Sequence, residues 1–579
     1  MKYIFMKNYF ILLILFLVHE FTSAQVVFSD EASVLGIEVL CGNSLYGSGI
    51  SFFDYDNDGW DDITIGTAQG DNVRFFKNFN GNYIEQSINI ITDNTRNKQI
   101  NWVDIDNDGD NDLFITNDTT GNKLYENLGN MVMLDITASS GMLTESLVAY
   151  GASWGDYNND GFLDVFISNR DTSIPNILYK NNGDNTFTIA NLEAGLDLEA
   201  TLYLSFCSAF IDYNNDGYQD IYVINDKIDY TNTLYKNNGD GTFTDVSVIS
   251  GTDIAIDAMS ATIADYNNDG WLDVYVSNDL PGNVLLKNNG DGTFTNVAVE
   301  TGTTFNSVAW GAVFLDADND TDEDLFVSGE HNGSISGYLS SAFYENVYDE
   351  NSLYYFNLSN SSIPNDFTIS YSNAIGDVDN DGFPEILVNN INHDNITLWK
   401  NNTLNTNNWL KVKLEGTTSN KNGIGSFIEI SINGNKQYRY TLCGEGYLSQ
   451  NSAIEFFGLG ENIRVDYIKV TWLSGIEDII YNVGSNQQLN IVEGSTLSLN
   501  EEATQAINLY PNPTSGKLFT NSNKTYEKVL IYNTIGQKVK EIQFSENESS
   551  IDLSSLKPGV YFIEVLGDIS KQTFRIVKY

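Results

Sequence analysis

From about residue 50 to residue 400 the chain alternates short apolar runs with polar gaps rich in Asp, Asn and Gly. Representative runs are Ala209 to Ile211, Ile221 to Ile224, Val165 to Ile167 and Val274 to Val276. Runs this short, β-branched and aromatic and bounded by turn formers, read as strands. A third strand in each unit ends in a phrase such as Leu234 to Phe243, where Asn238 to Gly241 supply the positive-φ residues of a hairpin into a fourth strand. Four antiparallel strands in about 50 residues is the size of one propeller blade.

The gap between the first and second strand of each unit is itself repeated. Oxygen-bearing residues stand at positions 1, 3, 5 and 9 of seven segments. They are Asp54, Asp56, Asp58 and Asp62; Asp104, Asp106, Asp108 and Asp112; Asp156, Asn158, Asp160 and Asp164; and Asp212, Asn214, Asp216 and Asp220. The last three segments carry Asp265, Asn267, Asp269 and Asp273; Asp316, Asp318, Asp320 and Asp324; and Asp377, Asp379, Asp381 and Glu385. Successive segments start 50, 52, 56, 53, 51 and 61 residues apart. The seventh unit stops after its third strand, near Leu398 to Asn402, and the stretch from Val26 to Gly36 matches the fourth-strand segments Gly241 to Gly251 and Gly292 to Gly302. The N-terminal stretch is therefore expected to complete the seventh unit and close a ring, removing exposed strand edges. The predicted fold is all-β: a seven-bladed β-propeller with hairpin metal loops.

Alternating oxygen ligands with Gly at position 6 describe a hard-cation site. Calcium takes six to eight oxygens at about 2.3 to 2.6 Å, and the Gly permits the turn that brings alternate residues inward. Zinc would need His or Cys, which the loops lack. An EF-hand would need Glu at position 12, yet that position holds Ile65, Ile115, Ile167, Val223, Val276, Val327 and Val388. Up to seven calcium ions are expected, one per unit. The sixth loop is the one in question, because Thr321 replaces the Gly and a β-branched residue suits positive φ poorly. Turn formation alone would also favour Asp, Asn and Gly. It does not require three or four carboxylates per loop, where a pair about 5 Å apart repels by roughly 3 kcal/mol at an effective dielectric of 20. Aromatic residues at position 7, Trp60, Phe162, Tyr218, Trp271 and Phe383, are read as packing beneath the loop before any role in stacking on a sugar.

These segments, with Tyr150 to Asp156 and Ala309 to Asp316, resemble the FG-GAP or VCBS repeats of integrin-α-like propellers. The resemblance covers residues 25–405 and implies calcium between the first two strands of each blade. Residues 406–494 change strand pattern and read as a separate β domain. Trp409 to Gly416, Asn422 to Gly425, Gly444 to Gln450, Phe457 to Gly460 and Val470 to Gly475 resemble the ASPIC/UnbV domain. After a polar linker at 495–505, residues 506–579 form a last β module. Its Ile507 to Gly516, Tyr532 to Gln537, Ile551 to Leu556, Gly559 to Ile563 and Phe574 to Lys578 resemble the type A C-terminal sorting domain of the type IX secretion system. Both modules are expected to be small and β-sandwich-like. The last implies contact with the type IX secretion machinery, removal of the domain, and a mature product secreted or attached at the outer-membrane surface.

Charge and composition narrow the partners. Residues 1–24 read as a signal peptide, with Lys2 and Lys7, an apolar run from Tyr9 to Val18, and Thr22 to Ala24 at the cleavage site. No segment approaches the roughly 20 apolar residues of a membrane span. The net charge of −49 excludes nucleic acid as a natural partner and favours cations. Hydrophobic content of 41% argues for a folded chain. Cys41, Cys207 and Cys443 are odd in number and far apart, and read as buried small residues. His331 and His393 lie outside any catalytic motif, no nucleophile elbow or phosphate loop is present, and Lys and Arg are sparse in the repeats. The expected function is non-catalytic adhesion, through an extracellular glycan or protein ligand, with calcium stabilising the blades. The alternatives are a propeller-fold polysaccharide lyase and a purely structural surface component.

Overall fold

A computed structural model describes residues 25–67, 69–90, 96–196, 202–280, 282–348, 354–496, 509–520, 528–534, 536–543, 550–566 and 571–579. The signal peptide and most of the linker lie outside these residues. The described chain is all-β apart from two single helical turns, Ser247–Ser250 and Ala298–Thr301. It divides into two compact units, up to Thr496 and from Leu497 onward.

In the first unit, seven repeats each form a sheet of four antiparallel strands among the described residues, that of repeat one carrying a fifth, parallel strand. Their first strands are Ile50–Phe53, Asn97–Val103, Ala149–Gly155, Ser205–Ile211, Ala258–Ala264, Ala309–Leu315 and Ser370–Gly376. Each contacts the first strand of the next repeat, and the strand of repeat seven contacts that of repeat one, so the seven close a cycle. Apolar side chains fill the space between neighbouring sheets. Val103, Phe114 and Leu124 of repeat two pack with Trp154, Val165 and Ile167 of repeat three. Phe52, Ile63 and Phe76 of repeat one pack with Ala374, Leu387 and Leu398 of repeat seven.

The fourth strand of repeat seven is Phe28–Asp30, from the start of the described chain. It pairs with Thr397–Asn401 so that Phe28 faces Asn401. Phe243 faces Asn237 and Phe294 faces Asn288 in the same register, so the borrowed strand sits where a native fourth strand would.

Residues 408–492 form two sheets around one core. One contains Ile454–Gly460, Asn408–Glu415 and Gln487–Val492; the other contains Asn435–Tyr440, Phe427–Ile432, Arg464–Thr471 and Glu477–Gly484. Leu410, Val412 and Phe457 of the first meet Ile428, Ile468 and Trp472 of the second. These strands, read from the sequence as a separate β domain, lie in the same compact unit as the repeats. The reason is the segment from Cys443 to Ser452, which runs into the middle of the ring. Ser449–Gln450 adds a parallel strand beside Ile50 and Ser51. Trp154 donates its backbone N–H to the Cys443 carbonyl at 2.9 Å, and Gly446 donates to Ala261 at 3.0 Å. Tyr447 is fully buried among Tyr150, Phe206, Trp310 and Tyr371, one aromatic from each of four first strands. Its hydroxyl donates to the Tyr46 carbonyl at 2.7 Å. The axis of the ring is therefore filled by aromatic packing.

The second unit has sheets Leu509–Tyr510, Lys517–Thr520, Ser550–Asp552 and Lys538–Gln543, Lys528–Asn533, Gly559–Leu566, Lys571–Lys578. Leu518, Val529, Ile531, Ile551 and Ile563 form its core.

Candidate metal loops

All seven expected loops lie between the first and second strands of their repeats, and one hydrogen-bond scheme builds them. The Asp at position 1 accepts the backbone N–H groups of positions 5 and 6. For Asp54 these are Asp58 and Gly59 at 2.9 and 3.0 Å; for Asp156, Asp160 and Gly161 at 3.0 and 2.8 Å. Position 5 accepts the N–H of position 7, as Asp269 does from Trp271 at 3.1 Å. In repeats one to six the position 9 carboxylate, at the start of the second strand, also accepts the backbone N–H of an Asn at or near the end of the third, as Asp220 does from Asn237 at 2.7 Å.

The sixth loop keeps this scheme despite Thr321. Asp316 accepts from Asp320 at 3.0 Å and from Thr321 at 2.9 Å, and Thr321 takes φ 98° to do so. A β-branched residue at that angle carries strain, and the hydrogen bonds of the loop hold it there.

An invariant residue outside the expected ligand set has a clear role. Position 4 is Asn in every loop, each at φ between 54 and 62°. Each donates its side-chain amide to the position 6 carbonyl of the next loop: Asn57 to Gly109 at 3.1 Å, Asn107 to Gly161 at 2.8 Å, Asn159 to Gly217 at 3.3 Å and Asn215 to Gly270 at 3.0 Å. Asn268 reaches Thr321 at 3.3 Å, Asn319 reaches Gly382 at 3.1 Å, and Asn380 reaches Gly59 at 3.1 Å. The seven loops are thus linked head to tail. The repetition of Asn at position 4 was legible in the sequence; its reach into the following repeat was not.

The expected ligands converge. Asp54, Asp56 and Asp58, then Asp104, Asp106 and Asp108, Asp316, Asp318 and Asp320, and Asp377, Asp379 and Glu385 each bring carboxylate oxygens within 4.8 Å of one another. Repeats three to five carry Asn158, Asn214 and Asn267 at position 3, so their loops hold fewer charges. The donor set fits a hard cation on two further counts. Asp62 and Asp273, both fully buried, each have an Oδ2 with no hydrogen-bond partner. Burial also raises the pKa of loop carboxylates well above the usual range, to about 9 for Asp62, about 8 for Asp112 and about 7 for Asp156 and Asp265. Buried carboxylates at this density call for a counter-charge.

Position 7 aromatics pack inside the repeat. The rings of Phe162, Tyr218 and Trp271 lie against Gly183, Gly239 and Gly290 of the third-to-fourth strand turn, where an added Cβ would stand 2.9 Å from the ring. The second domain covers the loop face: Lys411 donates to Asp377 at 2.9 Å and Lys413 to Asp54 at 3.3 Å. Lys421 donates its backbone N–H to the Asn107 side chain at 2.7 Å. Cys41, Cys207 and Cys443 are all buried and unbridged.

The FG-GAP-like repeat matches residues 54–115, 104–167, 212–276 and 265–327. The ASPIC and UnbV model matches residues 416–498, and the secretion system C-terminal sorting domain matches residues 508–579. Cartilage acidic protein 1 of Xenopus tropicalis is 23% identical over 484 residues, covering 74% of this chain and 70% of that protein. Among solved structures, a BBS1 N-terminal fragment in complex with an ARL6 fragment is 11% identical with TM-score 0.38, covering 65% of this chain and 97% of that one. The extracellular domain of a B. thetaiotaomicron protein described as a hybrid two-component system is 10% identical with TM-score 0.37, covering 93% and 77%. The sorting domain marks the chain as secreted or outer-membrane-attached and implies contact with the secretion machinery. Among the described residues no helix is long and apolar enough to cross a membrane.

Proposed function

We propose that this chain, which carries FG-GAP-like repeats, an ASPIC and UnbV segment and a secretion sorting domain, is a calcium-loaded seven-bladed β-propeller acting outside the cell as a non-catalytic adhesion module for a glycan or protein. The observation that carries the binding reading is a set of exposed apolar side chains just after the fourth strands. Leu192, Val248 and Val299 each stand five residues beyond the aromatic that opens the strand, Phe187, Phe243 or Phe294, and are 87%, 77% and 79% exposed. Ile249 beside them is 76% exposed. The binding reading takes these apolar side chains, repeated at one structural position in three consecutive repeats, as the surface offered to a partner.

Two features favour binding over catalysis. The ring axis, where a propeller would place a reactive centre, is packed with Tyr447 and Leu448. The cations gathered near that axis are already paired: Arg96 with Asp118 at 3.0 Å, Lys227 with Asp226 at 2.7 Å, and Arg170 with Asp226. A lyase acting on an acidic sugar would need such groups free to neutralise its substrate.

Calcium is favoured over other cations by the all-oxygen donor set and by the orphaned Oδ2 atoms of Asp62 and Asp273. Glycan and protein arrays probed with and without calcium test the reading. Binding that is lost in Leu192→Asp, Val248→Asp and Val299→Asp variants of unchanged melting temperature supports it. Silence on every array from a folded protein sinks the adhesion role, and unsaturated uronate products would replace it with the lyase.

A further inference from the structure

Repeat six departs from its siblings in the hairpin of its third and fourth strands. In repeats three, four and five the Asn near the end of the third strand faces a Phe six positions on, as Asn181 faces Phe187, Asn237 faces Phe243 and Asn288 faces Phe294. In repeat six Asn346 faces Phe356, ten positions on, and the strands run past that pair until Tyr348 faces Tyr354. The two rings lie 4.7 Å apart between centroids at 48°. Tyr354 is anchored edge-on against the buried Tyr266, at 6.3 Å, whereas Tyr348 is 54% exposed. The extension therefore carries aromatic surface out of the repeat instead of into its core.

Both tyrosines line a cleft of about 670 Å³ shared with the second domain, whose contribution is the turn Asn433 to Asn435 together with Gln437 and Tyr438. That volume falls within the range of about 300 to 1,000 Å³ usual for small-ligand sites. The two sides are tied together beside it. Gly460 of the second domain donates its backbone N–H to the Asn319 carbonyl at 2.8 Å. The Tyr438 ring rests on Gly270 of repeat five, where an added Cβ would stand 3.4 Å from it. The cleft is thus a feature of the packed unit, built where the elongated hairpin meets the second domain.

The lining defines what fits. Gln437 is only 3% exposed and donates its Nε2 to the Gly458 carbonyl at 2.8 Å, but its Oε1 has no hydrogen-bond partner. A buried acceptor left without a donor is costly, and a ligand hydroxyl in the cleft would supply one. Ile432 is the one aliphatic side chain of the lining and is itself buried, so an apolar peptide finds little to pack on. Lys436, also at the cleft, is already paired with Glu429 at 2.9 Å, while Asp320 and Asp322 face the same space, so anionic ligands are disfavoured. Aromatic surface for C–H groups, side-chain amides and an orphaned acceptor for hydroxyls, and no free cation together describe a site for an uncharged polyol ring.

We infer that this cleft binds a neutral saccharide, with Tyr348 and Tyr354 packing against a sugar ring and the Gln437 Oε1 accepting one of its hydroxyls. The inference rests on the glycan form of the proposed function. It goes further by giving the sugar a chemical class and a place apart from Leu192, Val248 and Val299.

Titration calorimetry tests it, with full-length protein in calcium buffer. The probes are neutral tetrasaccharides, β-linked glucose, mannose and xylose and α-linked glucose and galactose, with tetragalacturonate as the acidic counterpart. At least one neutral probe should bind and tetragalacturonate should not. Tyr348→Ala, at an exposed position, should keep the melting temperature and weaken binding about tenfold or more, whereas Tyr348→Phe keeps the ring and should stay within about twofold of the wild type. Gln437→Leu should also weaken binding, and Leu192→Asp should leave it unchanged. Silence from folded wild type with every neutral probe, equal affinity in the wild type and Tyr348→Ala, or preference for tetragalacturonate overturns the cleft. Sugar binding lost in Leu192→Asp and kept in Tyr348→Ala would overturn the cleft while leaving the adhesion reading standing, so the two failures are distinguishable.

Discussion

Asn380 and Gly59 are 321 residues apart in sequence, and the Asn380 side-chain amide donates to the Gly59 carbonyl at 3.1 Å. This bond closes a cycle of seven like it, so the metal loop of the last repeat is tied to that of the first. The Oδ1 of the same Asn380 side chain in turn accepts from the Lys411 ammonium at 2.6 Å, bringing the second domain onto the same junction. Ring closure, metal loops and second domain are therefore mechanically one system.

If the loops hold calcium as proposed, removing it should loosen the whole system. Chelation is expected to lower the melting temperature and to expose the repeats to protease, because each site filled at about 1,000 times its dissociation constant contributes about 4 kcal/mol. Thermal unfolding in calcium and in chelator checks this. Identical curves would show that the loops are held by hydrogen bonds alone.

Asn215→Ala removes the bond to Gly270 and places Ala at φ 54°. The expected loss is about 1 to 3 kcal/mol, from one hydrogen bond plus the cost of a left-handed non-Gly residue. Asn215→Gly keeps the backbone angle accessible and should lose only the hydrogen-bond share. Equal stability of all three proteins in denaturant would remove position 4 from the account of how the loops are linked.

Tyr447→Ala should cost about 3 to 5 kcal/mol, as expected for emptying a large aromatic site that cannot collapse. Tyr150, Phe206, Trp310 and Tyr371 would face the space left on the ring axis. Urea unfolding gives the magnitude, and a loss under 1 kcal/mol would mean that the plugging segment adds little to the repeats.

Stability should depend on pH in opposite senses with and without metal. In the cation-free protein, burial raises Asp62 to about 9, Asp112 to about 8 and Asp265 to about 7, whereas an unfolded Asp titrates near 4. The folded form then binds more protons than the unfolded form between about pH 4 and 9, so its stability grows as pH falls through that window and is lost as pH rises. With calcium bound, protons compete with the ion and acidification destabilises instead. Melting temperatures from pH 5 to pH 8 in chelator and in calcium should therefore slope in opposite directions; parallel slopes would mean that these carboxylates do not hold the ion.

The sequence by itself determined the repeat, the seven loops and the strand borrowed from the N-terminal side. Those features rest on local relations: a position 1 carboxylate capping N–H groups four and five residues on, short apolar runs flanking it, and a Phe28 segment that reads like Phe243 and Phe294. Nothing beyond one repeat is needed to recognise them. Tertiary structure alone decided what crosses between repeats. Position 4 Asn looks like an ordinary turn former until its amide is seen on the next loop, Lys236 looks like a surface charge until its ammonium is seen 3.3 Å from Asp216, and Cys443 to Ser452 looks like a loop of a separate domain. That segment enters the ring because seven sheets packed side by side leave an axis lined by Tyr150, Phe206, Trp310 and Tyr371, and burying that aromatic surface under Tyr447 is more favourable than leaving it to water. A surface assembled from four distant strands has no local pattern for a sequence to display.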